Sequence, residues 1–66
     1  MNLIEAIQRR CNELREIYLP EYDKISTGVF AATMIRQSIK KAEAAIASGD
    51  TVEMIASLKE LREYQL

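Results

Sequence analysis

Ser48-Gly49-Asp50-Thr51-Val52-Glu53, "SGDTVE", is the clearest punctuation in this chain. Glycine suits the left-handed position that follows the last residue of a helix. Aspartate then offers a side-chain oxygen to the exposed amides of a new helix, and Glu53 sits three residues on, in capping-box spacing. One helix therefore ends near Ser48 and another begins near Thr51. A connection this short makes the two helices antiparallel neighbours.

Upstream of the turn, Ala32, Ile35, Ile39, Ala42 and Ile46 recur at spacings of 3, 4, 3 and 4, which is the seam of a packed helix. Val29 extends it backwards, and Phe30 with Met34 form a second apolar strip beside it. Ser26 or Thr27 is the expected N-cap, and the density of alanine favours helix and close packing. Downstream, Met54, Ile55, Leu58 and Leu61 form the stripe of a helix over about residues 51–64, flanked by Val52 and Tyr64.

The first segment reads as a third helix, from about Leu3 to Tyr18, capped by Asn2 with Glu5 three residues on. Its seam is Ile4, Ile7, Cys11, Leu14 and Tyr18, with Leu3 and Ile17 widening the stripe. Pro20 is expected to stop it, because proline lacks the N–H donor and clashes with the preceding turn. "LPEYDKISTG" is then a connector, with a short helical turn after Pro20 folding over the end of the bundle. The fold class is all-α: one three-helix bundle over 1–66, built from a helix, a proline-broken connector and an antiparallel helical hairpin.

Size constrains the rest. A chain of 66 residues is marginal as an isolated domain, and small domains commonly recruit a disulfide, a metal or a partner. One cysteine and no histidine exclude an intrachain disulfide and argue against a zinc site. No cofactor is expected. More than twenty large apolar side chains exceed what a three-helix core of this size hides, so a homodimer is expected. The middle helix is longer than its neighbours, so "GVFAATMI" (Gly28–Ile35) lies partly beyond its own hairpin. Val29, Phe30 and Met34 are the candidate interface, with Tyr18 and Tyr22 as further anchors, since tyrosine is common at interface hot spots. The competing reading places the tyrosines at the ends of the core.

Charge is unevenly spread. Residues 24–42 carry Lys24, Arg36, Lys40 and Lys41 and no acid, whereas both ends are acidic and the net charge is −1. Arg36, Lys40 and Lys41 form a candidate basic patch for nucleic acid. The acidic balance opposes that use, and a helix opening with Val29 and Phe30 suits burial better than base contacts. Solvated or paired charges are the plainer reading.

No catalytic constellation is present: there is no histidine, no glycine-rich phosphate loop and no carboxylate pair with a site around it. Cys11 has Arg9, Arg10 and Arg15 nearby, which would lower its pKa, but a seam position marks it as core. The chain reads as non-enzymatic. No apolar stretch approaches the length of a membrane span, and Glu5 interrupts any signal-like start, so a cytoplasmic protein is expected.

"AIQRRCNELREIYLPEY" followed by "GVFAATMI" resembles the small helical accessory early-region proteins of lambdoid temperate phages. The resemblance covers about the first half of the chain and carries no diagnostic motif. It implies a small regulator in the host cytoplasm, acting by protein contacts on a host component or on the lysis–lysogeny decision. A small DNA-binding regulator is the alternative.

Overall fold

The computed structural model describes residues 2–66. All regular structure among them is helical: α1 (Leu3–Glu13), α2 (Leu19–Asp23), α3 (Val29–Ser48) and α4 (Thr51–Arg62). α4 packs between α1 and α3 and shares the broadest interfaces with both, while α1 and α3 approach each other only narrowly. α2 rests on α3.

The start of α1 follows from its cap: the Glu5 amide donates to Asn2 Oδ1 at 2.8 Å. The hairpin also forms as its turn residues dictate. Gly49 has φ 72°, its amide reaches back to the Ala45 and Ile46 carbonyls, and Asp50 Oδ1 accepts from the Glu53 amide at 3.1 Å.

Pro20 does not stop the first helix. Leu14–Tyr18 forms a π turn between α1 and α2, so residues 3–23 make one uninterrupted helical arm. The wider turn closes with the Leu19 amide donating to the Leu14 carbonyl, five residues back. Pro20 then occupies the opening turn of α2, where a missing N–H costs little. The extra residue also shifts the buried seam: Ile7, Cys11 and Leu14 are followed by Leu19, not by Tyr18.

The connector corrects a second expectation. Ser26–Gly28 is a 3-10 turn, α3 begins at Val29, and its N-cap is Gly28 with no side-chain hydrogen bond. Neither Ser26 nor Thr27 caps it. Gly28 is instead required by space. A Cβ there would press into the backbone carbonyl of Tyr22, where α2 and the 3-10 turn meet.

The core comprises Ile7, Cys11, Leu14 and Leu19 from the first arm, Ala32, Ile35, Ile39, Ala42 and Ala45 from α3, and Met54, Leu58 and Leu61 from α4. Ile4, Ile17, Val52 and Ile55 stay exposed, so the stripes of α1 and α4 are narrower than their apolar content.

Arg10 locks the open end of the bundle. Its guanidinium donates from Nε to the Leu61 carbonyl at 3.0 Å and from Nη2 to the Tyr64 carbonyl at 2.9 Å. It pairs with Glu13 and lies 4.8 Å from the centroid of the Tyr18 ring. The last carbonyls of a helix have no partner within it and sit at the negative end of its dipole. One arginine from α1 thus satisfies the end of α4. Tyr22 donates its hydroxyl to the Gln65 carbonyl, and the Tyr64 and Ser38 hydroxyls are 2.7 Å apart.

Candidate functional site

The apolar residues singled out from the sequence separate into two groups. Val29, Phe30 and Met34 lie at the start of α3 and are exposed, Phe30 at 76%. Three features put them there. Gly28 draws the connector tightly against the Tyr22 backbone, and Val29 and Phe30 directly after it stay exposed. α3 presents Ala32 and Ile35 inward, which turns Phe30 and Met34 outward. α4, the antiparallel neighbour of α3 and the shorter helix of the hairpin, ends at Arg62 and stops short of the first turns of α3.

Tyr18 and Tyr22 belong to the second group. Both are partly buried and packed on the core, and their hydroxyls bond inward, Tyr18 with Arg10 at 3.3 Å and Tyr22 with Gln65. They close the end of the bundle and are not free anchors. Tyr64 does the same.

The basic segment is largely neutralised within the chain. Arg36 meets Asp23 at 2.9 Å, Lys41 meets Glu60 at 3.3 Å and Lys24 meets Glu21 at 3.3 Å. Arg15 reaches Glu43 at 2.7 Å. Lys40 is exposed and has no acidic partner among the described residues. The patch of three therefore presents one unpaired charge. The Ser38 hydroxyl and then the Lys41 ammonium hold the Glu60 carboxyl below its ordinary pKa.

Cys11 is buried, at the floor of an open groove of about 320 Å³ between α1 and α3 that Arg15 and Glu43 bridge. Burial pushes the thiol pKa up, and the pull of Arg15 does not reverse it. The lowered pKa that neighbouring arginines predict is thus corrected by desolvation: Arg10, the closest basic neighbour in sequence, points toward the end of α4.

Among the described residues no group of three His, Cys, Asp or Glu side chains is placed to hold a metal ion, and no helix is long and apolar enough to cross a membrane. Sequence reading found the exposed α3 edge through its surplus apolar content. It did not find Lys40 as the odd charge, because the partners of Arg36 and Lys41 lie 13 and 19 residues away. Comparison with protein-family models, curated proteins and solved structures finds no match to this chain.

Proposed function

We propose that the chain is a small non-enzymatic protein–protein interaction module whose docking edge is the start of α3. The observation that carries this reading is the uncovered cluster of Val29, Phe30 and Met34, with Phe30 76% exposed at the start of the longest helix. Phenylalanine displayed on a rigid helix is an inexpensive anchor: it buries a large apolar area while few rotors are frozen. The resemblance of its first half to phage early-region proteins supports a regulator that acts on a host component or on the lysis–lysogeny decision. The nucleic-acid alternative has less support, since Arg36 and Lys41 already have acidic partners.

Site-specific photo-crosslinking in expressing cells tests the reading. A benzophenone-bearing residue is placed at position 30 and, as a control, at the equally exposed position 52 (74%). A discrete protein adduct at 30 and none at 52 is expected. Equal, diffuse labelling at both positions refutes a docking edge. Steep loss of binding to DNA between low and moderate salt would favour the alternative.

A further inference from the structure

We infer that the trough between α1 and α4 is a docking site for an acidic amphipathic helix of a partner protein. This surface is separate from the exposed edge of α3 and goes beyond the interaction at that edge. The trough consists of two adjoining hollows that share Arg62. The first, about 420 Å³, is lined by Leu3, Ile55, Leu58, Lys59, Arg62 and Glu63. The second, about 210 Å³, is lined by Ala6, Arg9, Arg10, Glu13 and Arg62. The trough is thus apolar at the Leu3 end, where Ile55 is 57% exposed, and cationic at the Arg9 end.

Charge identifies the partner. None of Arg9, Lys59 and Arg62 forms an ion pair among the described residues. Arg10 and Glu13 neutralise each other, which leaves Glu63 as the other acid on the lining. Three uncompensated cations and one acid therefore gather here, in a chain whose net charge is −1. Glu5 and Glu16 line a different hollow with Gln8, Asn12 and Ile17, and Arg9 stands between that hollow and the trough. Carboxylates on a partner would complete the cations, and a basic partner would be turned away.

Shape selects a helix. Two packed helices leave a concave groove between them, and an amphipathic helix lays its apolar face into such a groove. The trough follows α1 from Leu3 to Glu13, about 15 Å, which accepts nearly three turns of an incoming helix. Its apolar residues would cover Ile55 and Leu58, and its acids would reach Lys59 and Arg62. A flat bilayer meets ridges rather than grooves, and the phosphates of a nucleic acid gain nothing from an apolar floor. Val52 lines neither hollow and sits one turn from Ile55 on the side away from Arg9.

Selection from a displayed library of helical peptides is the test. Apolar residues are fixed at helical spacing along one face, and the flanking positions are randomised. Peptides with Asp or Glu at the flanks should be enriched. A labelled peptide from the enriched pool should bind about tenfold more weakly to Lys59→Glu combined with Arg62→Glu, the scale of two exposed ion pairs reversed. Ile55→Asp should weaken it at least about tenfold. Phe30→Asp should leave it unchanged. Far-UV circular dichroism confirms that each variant is folded. Neutral or basic flanks, no enrichment, or a peptide indifferent to the Lys59 and Arg62 reversals overturns the inference. Binding lost with Phe30→Asp alone places the peptide on the α3 edge; it overturns the inference and leaves the interaction-module reading standing. Two controls address other occupants. A rise in sedimenting mass toward twice the 7.5 kDa chain that Ile55→Asp abolishes assigns the trough to a second copy. Flotation with phosphatidylglycerol vesicles that Ile55→Asp abolishes assigns it to a membrane. Either result overturns the peptide helix.

Discussion

Replacing Arg10 with methionine should remove a large share of this protein's stability while keeping most of the side chain's apolar stem. The guanidinium makes two hydrogen bonds to main-chain carbonyls at the C-terminal end of α4, to Leu61 in its last turn at 3.0 Å and to Tyr64 just beyond it at 2.9 Å. Bonds to a charged group contribute about 1.5–3 kcal/mol each. The side chain keeps 15% of its surface, so the low end applies and the pair is worth about 3 kcal/mol. Contact with the Tyr18 ring adds about 0.5 kcal/mol, and the exposed Glu13 pair adds little. Against this stands a total stability of roughly 3–10 kcal/mol for a domain of this length. Urea unfolding followed by circular dichroism should show a loss of about 3 kcal/mol with an unchanged denaturant slope, and Tm should fall by roughly 10–20 °C. Arg10→Lys should recover less than half of the loss, because an ammonium cannot span two carbonyls as a planar fork does. A loss under about 0.5 kcal/mol, or a lysine variant as stable as the native chain, would show that the C-terminal carbonyls of α4 are served by water and that Arg10 is no staple.

Three further outcomes follow from the geometry. Gly28→Ala should destabilise by about 2 kcal/mol in a thermal melt, despite alanine's better helix propensity, because its methyl meets the Tyr22 carbonyl; a neutral or stabilising result would mean that the connector can move aside. Asp50→Ala should cost about 1 kcal/mol by loss of the bond to the Glu53 amide, and the faster amide exchange it causes should be confined to the first turn of α4. Glu60 has a folded-state pKa below its unfolded value, so its contribution is present above the ordinary carboxylate range and is lost as pH falls through the folded pKa. The difference in Tm between the native chain and Glu60→Gln should therefore be largest near neutral pH and should shrink away as pH falls through the folded-state pKa of the carboxyl.

Local chemistry made most of the fold legible. Asn2, Gly49 and Asp50 act through neighbours three or four residues away, and the inner seam of α3 needs only its own period. What escaped reading depends on residues far apart in sequence. Pro20 is tolerated because a widened turn absorbs it, and that turn is held by burial of Leu19 against the rest of the core. The requirement for Gly28 comes from the approach of Tyr22, and the role of Arg10 from carbonyls 51 and 54 residues away. The candidate surface was half legible. Surplus apolar content marked Val29, Phe30 and Met34, whereas nothing local distinguishes an exposed tyrosine from Tyr18 and Tyr22, whose rings close the core.

The π turn also determines where this chain can change length. Deleting one residue from an α-helix rotates everything beyond it by about 100°, which would carry a packed face into water. Leu14–Tyr18 is a place where one residue is already in excess. Without Ile17, which is half exposed, Leu19 falls four positions after Leu14 and an ordinary α turn keeps the buried row in line. Pro20 would then clash in the tightened turn, so the deletion should be accommodated when combined with Pro20→Ala and should kink the arm alone. Deleting Gln8 offers no such route and should unfold the protein. Single-residue deletions among this chain's descendants should therefore occur at residues 15–17, accompanied by loss of Pro20, and not within 4–13.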